Sequence, residues 1–467
     1  MKNFRIAIII DHPDRDLDGL ILLSTFLIKK NFEVSLVPMY YHSFEIPFIN
    51  PDIILFNNIG DHNIEFIKRY KSKGISIAVL NSEEGIRSSK LSADHPLKMA
   101  KLFKKKDYFK YVDLYFCWGS YVANFMRKYS GLLNKQVIVS GCPRYDLCSP
   151  KFKNKYFTKE IEYDFLINTN FQATNPLHKN VNQEKKNFLI YGMEKKYIIK
   201  LFKSYNSTFV DYLNLIDILV NLFKNKKFLL RPHPFENEEI YFSKFKKYPN
   251  VTIDRRGVIF KSIIKSNLVM HLNCGSSIDA LFLKKIPISF EFLNNYVLKE
   301  NSPLPSKISL RAKNLKHLCK ILKNPNRIKF DFNKARKKIS NWFKINNEYK
   351  YSSQELTACL QKFLLGKKNH FINSSIFPLL KAGQSDYFIK NFVYGFFYFF
   401  VGPIFLKIIE NLRPSKKIKN FNENDVILSL QKLIDKKDFN MISISHCKHH
   451  VSKLNLKSVN ILLKKTI

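Results

Sequence analysis

Short apolar runs that stop in polar loops recur through the first 300 residues, and helical patterns separate them. The run at residues 4–10 (FRIAIII) ends at Asp11-His12-Pro13-Asp14, and residues 17–30 then carry apolar side chains at helical spacing. Residues 34–39, 52–56 and 75–80 repeat the strand signature, with a helix predicted over 64–73. Brief apolar runs closed by breakers read as buried strands. Their alternation with helices predicts a parallel sheet covered on both faces. In such sheets ligand chemistry belongs in the loops beyond the carboxyl ends of the strands.

The pattern continues with strands at 112–118 and 136–140. The loop Gly141-Cys142-Pro143-Arg144-Tyr145-Asp146 follows, a tight turn in which Arg144 and Asp146 are placed to pair. A first domain is expected over 1–150, and the lysine-rich stretch 151–160 reads as a linker. A second alternating block places strands at 165–170, 228–231, 251–253, 268–272 and 286–290. Its helices are expected at 208–224, 258–265 and 278–284, with closing helices near 313–323 and 331–345. This block is expected to span 161–365, leaving 366–467 as a basic helical extension. Within that extension residues 392–406 are almost wholly apolar and flanked by lysines, which fits a core helix or an interfacial membrane anchor.

Composition narrows the partners. Seventy-eight Lys and Arg against 38 Asp and Glu give a net charge of +40. The lysines are spread along the whole chain, whereas a nucleic-acid binder concentrates them on one motif or face, so nucleic acid is not expected. An AT-rich genome explains such a composition, and a surface facing anionic lipid or glycan is the functional alternative. Seven irregularly spaced cysteines without a Cys-x-x-Cys fit a reduced cytosol. No run reaches the roughly 18–20 apolar residues that span a bilayer. The apolar run after Arg5 is too brief for a signal peptide, so a cytoplasmic protein is expected, with peripheral contact at the inner membrane.

Three loops carry candidate chemistry. Asn81-Ser82-Glu83-Glu84-Gly85 either offers a carboxylate to a cleft or caps a solvated helix, since acids after Ser82 complement a helix dipole. Arg231-Pro232-His233-Pro234 holds a histidine between two prolines in a stiff, extended turn at the end of a strand. Asn273-Cys274-Gly275-Ser276-Ser277 places small residues and hydroxyls at a helix start, which suits either a phosphate or an ordinary serine cap. The cluster His446-Cys447-Lys448-His449-His450 lacks ligand spacing, and no metal is expected there.

An acid-acid-Gly motif (LNSEEGI, 80–86), a His-Pro motif (RPHP, 231–234) and a later Ser-Ser motif (HLNCGSSIDALFLKKIP, 271–287) occur in that order. The set resembles that of bacterial sialyltransferases and polysialyltransferases of the GT-B fold, to which the Kdo transferases of capsule synthesis are related in organisation. With FCWGS (116–120), VSGCPRYDL (139–147) and FLINTNF (165–171), roughly residues 1–300 look like the bacterial family of surface carbohydrate (surface polysaccharide) biosynthesis proteins.

The resemblance implies a GT-B-like α/β fold, two Rossmann-like doubly wound parallel-sheet domains facing a central cleft. It also implies an inverting glycosyl transfer from a CMP-activated acidic sugar to a glycan or lipid-linked glycan acceptor. Glu83 or Glu84 would deprotonate the acceptor hydroxyl. His233 would hold or protonate the departing CMP phosphate, and Gly275, Ser276 and Ser277 would bind it. No metal or further cofactor is implied. To these we add Arg231 as a cation near that phosphate, with Asp11, His12, Arg144 and Asn170 as further cleft candidates. The acidic motif here is Glu-Glu, where the family carries an Asp-containing pair. Rival expectations are a CDP-glycerol glycerophosphotransferase, a UDP-sugar transferase or 2-epimerase of the same fold, and a non-enzymatic basic glycan-binding scaffold.

Overall fold

The computed structural model describes residues 3–84, 95–157, 160–190, 192–344, 350–367, 419–448 and 453–464, with single positions at 397, 402 and 404. Gly85, His449, His450 and nearly all of the apolar stretch 392–406 therefore lie outside the described residues. Fourteen strands are present among them. Six come from the first 150 residues: β1 (Arg5–Ile10), β2 (Glu33–Pro38), β3 (Ile53–Phe56), β4 (Ser76–Leu80), β5 (Leu114–Cys117) and β6 (Val137–Val139). Six follow in the middle of the chain: β7 (Tyr163–Asn168), β8 (Phe228–Arg231), β9 (Val251–Ile253), β10 (Ser266–His271), β11 (Pro287–Ser289) and β12 (Leu310–Arg311). The last two are β13 (Ile442–Lys448) and β14 (Asn455–Leu463).

The strands form two sheets, ordered β13-β14-β2-β1-β3-β4-β5-β6 and β12-β11-β10-β7-β8-β9. Pairing is parallel throughout the second sheet and from β2 to β6 in the first. Strands such as β1, whose Ile6–Ile10 are all buried, are apolar without alternation because helices cover both faces. In the first sheet the order reverses between β1 and β3, and in the second between β7 and β10. These are the switch points where open α/β sheets bind ligands.

The described residues of 1–83, 100–156 and 346–467 form one compact unit, and those of 84–99 and 157–345 the other. The C-terminal region thus packs with the first sheet. Within 366–467 the described elements include the helix Glu423–Leu433 and also the hairpin β13–β14, which the expectation of a helical extension did not include. β14 runs antiparallel to β2 and covers the sheet edge that β2 would otherwise expose. A buried carboxylate fastens it: Glu45 accepts the Lys457 and Ser458 amides, both at 2.8 Å, and the Ser458 hydroxyl. The long helix Lys195–Leu222 also exceeds the expected 208–224 segment at its amino end.

Asp146 takes a role other than pairing with Arg144. Its carboxylate accepts the amides of Ser352 and Ser353 at 2.9 and 2.8 Å and the Ser353 hydroxyl at 2.7 Å, capping the helix Ser352–Leu365. Burial outweighs these bonds and pushes its carboxyl up to about 6. Replacing Asp146 by alanine strands two buried helix-terminal amides and should cost about 1–3 kcal/mol, measured as a shift of the urea-unfolding midpoint at unchanged slope.

Candidate functional site

In the first unit the loops after β1 and β4 meet through one guanidinium. Arg15, in a tight helical turn over Pro13–Leu17, donates to Asp16 at 2.8 Å, to Asp11 at 2.9 Å and to Glu83. Asp11 also pairs with Lys419 at 2.5 Å, a residue 408 positions away in the C-terminal region. The Lys419 ammonium lies 5.4 Å from the centre of the Tyr40 ring. Burial would raise the Asp11 carboxyl, but the charges and hydrogen bonds of Arg15 and Lys419 prevail and hold it below its ordinary value. Arg15 is raised in turn, burial being outweighed by Asp16, Glu83 and Asp11.

His12 is buried, and burial followed by the Arg15 charge lowers its pKa, so its ring stays neutral at pH 7. The two glutamates of the acidic loop differ: the Glu83 side chain is 65% exposed in its ion pair, whereas Glu84 is buried. In the first unit a pocket of about 410 Å³, counting its open mouth, lies at the carboxyl ends of β1, β3 and β4. Asp16, Asn57, Asn81, Ser82 and Arg144 supply its polar lining. The Asn57 amide is buried, and neither of its polar atoms has a hydrogen-bond partner among the described residues. Arg144 stacks its guanidinium 4.9 Å from the Tyr145 ring centre, and its backbone presses against Gly19, where a Cβ would come within 2.7 Å.

In the second unit three neighbouring strands, β10, β7 and β8, deliver their loops to one edge. The β7 and β10 loops are tied where Asn170 Nδ2 donates to the Asn273 carbonyl at 3.2 Å. Asn273 takes a left-handed φ of 48°, and its amide exchanges hydrogen bonds with Asn294 at 2.8 and 3.0 Å. The β8 loop is set by Thr169, whose hydroxyl accepts the His233 amide at 3.0 Å. The Phe235 amide donates to His233 Nδ1 at 3.3 Å, which in the neutral ring places the proton on Nε2.

The anchor under this loop is Glu236, which the sequence reading passed over. Its fully buried carboxylate accepts the Phe171 amide at 2.5 Å, the Thr169 hydroxyl at 2.8 Å and the Tyr241 hydroxyl. Its signal was an acid two residues after a Pro-x-Pro turn, which also reads as a solvated loop residue.

Two further candidates are engaged within the fold. Arg231, read as a phosphate cation, is buried, and its guanidinium donates to the Arg256 carbonyl at 3.1 Å, the Ser262 hydroxyl at 3.0 Å and the Gly257 carbonyl. It braces the turn after β9. Ser277 is likewise buried, its hydroxyl donating to the Cys274 carbonyl at 2.9 Å and its amide to the same oxygen at 3.2 Å. Ser276, which opens the helix Ser276–Phe282, and Gly275 remain at the loop. His271, at the end of β10, is a core histidine: burial lowers it to about 3 and its Nε2 meets the Ser309 hydroxyl at 2.8 Å. Among the described residues no group of three or more His, Cys, Asp or Glu is placed to hold a metal ion.

No protein-family model and no curated protein matches the sequence. Solved structures do match in fold. A variant of the wall teichoic acid polymerase TagF soaked with CDPG covers 79% of this chain and 91% of its own at 11% identity and a TM-score of 0.51. The Methanocaldococcus jannaschii UDP-GlcNAc 2-epimerase, in complex with UDP-GlcNAc and UDP, covers 77% of this chain and 99% of its own (14% identity, TM-score 0.43). Staphylococcus aureus MnaA with UDP covers 79% and 100% (13% identity, TM-score 0.45). The fold is GT-B-like. Among the described residues no helix is long and apolar enough to cross a membrane.

Burial raises the Glu236 carboxyl from 4.5 to about 7, more than its hydrogen bonds lower it. The folded state therefore holds the proton more tightly than the unfolded chain does. The stability linked to it is complete below about 4.5 and is lost as pH rises through about 7. In Glu236→Gln the Thr169 and Tyr241 hydroxyls can turn to accept from the new amide, and the titration is gone. Across that window the wild type should lose stability relative to Glu236→Gln by roughly 1–3 kcal/mol, read from melting curves at a series of pH values.

Proposed function

We propose that the protein is an inverting glycosyltransferase of surface-polysaccharide synthesis, taking a nucleotide-activated acidic sugar, CMP-linked, as donor. The observation that supports this best is the second sheet's switch-point edge. There His233, whose Nδ1 accepts the Phe235 amide so that a neutral ring carries its proton on Nε2, shares an edge with Asn170, Gly275 and Ser276. A neutral imidazole donor and small residues with backbone amides suit a phosphate oxygen that gains charge as the sugar leaves.

Glu84 is the proposed general base. Glu83 is engaged in an ion pair with Arg15, which leaves it the positioning role. Glu83 and Arg15 then position the acidic loop; Asp11 holds Arg15, and Lys419 holds Asp11. His12, Arg144 and Asn57 belong to the polar edge of the unit that holds Glu83 and Arg15, and are proposed on the acceptor side. The acceptor hydroxyl loses its proton to Glu84 as its oxygen bonds to the anomeric carbon. The bond from that carbon to the phosphate oxygen breaks in the same displacement, which inverts the centre. Metal independence is part of the proposal, so EDTA should leave turnover unchanged. The second reading, transfer from a CDP-linked donor, is favoured by the CDPG in the TagF structure.

Thermal-shift titration with CMP, CDP and UDP compounds separates these readings. Stabilisation by CMP compounds is expected; stabilisation by CDP compounds alone selects the second reading, and by UDP compounds alone overturns both. With the donor so identified, Glu84→Ala and His233→Ala should each lower kcat by on the order of 10²–10⁴ at an unchanged melting temperature. Full turnover in both variants would remove the catalytic assignment.

A further inference from the structure

The helices Val181–Ile190 and Lys195–Leu222 form an antiparallel hairpin in the second unit. Its tip closes at Gly192, which takes a φ of 80° with its amide donating to Leu189 at 2.9 Å, while the Met193 amide donates to Phe188 at 3.1 Å. One face is anchored: Met193, Ile198, Leu201 and Phe202 are buried, and Phe188 packs edge-on against Phe202 with ring centres 5.5 Å apart. The other face is not. Leu189 is 44%, Ile190 79% and Ile199 57% exposed.

These side chains sit among cations. Residues 181–203 hold six lysines against two glutamates. Lys195, Lys196 and Lys203 lie one helical turn from Ile199, on its side of the helix. Lys186, Lys195, Lys196, Lys200 and Lys203 are exposed, and none of the five joins an ion pair with a described residue. Among the described residues of the tip the cations are lysine and the exposed large apolar groups are aliphatic. Protein hot spots and nucleic-acid readers favour arginine and aromatic rings instead. Aliphatic side chains at a helical tip, ringed by lysines whose long stems can reach outward, are the composition of an interfacial lipid contact.

We propose that this tip docks on an anionic lipid bilayer, Leu189, Ile190 and Ile199 entering the interface and the lysines meeting the lipid phosphates. The reading is independent of the transfer chemistry, since vesicle binding is measured without turnover.

The test is co-sedimentation of the full chain with phosphatidylcholine vesicles, with and without phosphatidylglycerol. Binding is expected only where the anionic lipid is present. Ile190→Gln/Ile199→Gln should weaken it roughly tenfold, and Lys195→Gln/Lys196→Gln/Lys200→Gln on the order of a hundredfold. A control triple, Lys316→Gln/Lys320→Gln/Lys323→Gln, removes equal charge from another exposed helix of the same unit and should bind as the wild type does. Undiminished binding in both tip variants overturns the proposal, as does an equal loss in the control, which would assign binding to overall charge. A change of molecular mass by light scattering in Ile190→Gln/Ile199→Gln would assign the patch to a second copy of the chain instead. Melting temperatures matching the wild type are expected for all three variants, because every altered side chain is exposed.

Discussion

Parallel strand pairing is the constraint from which the rest of this structure follows. When neighbouring strands run the same way, every carboxyl end lies on one edge, and the chain must return through a helix before the next strand. Polar loops far apart in sequence are thereby delivered side by side. In the first sheet the loops after β1, β3 and β4 supply Asp11 and Arg15, Asn57, and Glu83. In the second the loops after β7, β8 and β10 supply Asn170, His233 and Ser276. The strands themselves carry almost no chemistry; they decide who meets whom.

What holds those loops in shape is a small set of buried carboxyl and guanidinium groups, each with at least three hydrogen bonds. Glu236 gathers the 169–171 loop and Tyr241 under His233, Asp146 caps a helix from the far end of the chain, and Glu45 receives the C-terminal hairpin. Arg231 does the same work with the opposite charge. A carboxylate taken out of water is costly unless donors surround it, so each such group tolerates few alternative arrangements of its neighbours. The loops these groups support are therefore fixed in shape.

The C-terminal region shows how an edge strand and a single side chain extend a site. β14 covers β2, and the same region returns Lys419 to Asp11, which in turn holds Arg15 and, through it, Glu83. Electrostatic positioning of the acidic loop thus draws on a residue that no motif near that loop contains.

The sequence by itself determined the parallel α/β class, the positions of most strands and the loops that carry polar groups. Those properties are local, being set by the length of an apolar run, its breakers and the spacing of the next helix. FLLR at 228–231 and VTI at 251–253 coincide with β8 and β9. The hairpin β13–β14 escaped because an edge strand pairs across the chain, and residues such as Ser443 and Ser445 give it no apolar run to read. Roles within loops escaped for a similar reason. Arg231 and His233 share one short motif, yet one guanidinium turns inward to three acceptors while the imidazole stays at the edge. Only the tertiary structure could decide that, because whether a charged side chain serves the fold or a ligand depends on partners supplied by distant parts of the chain.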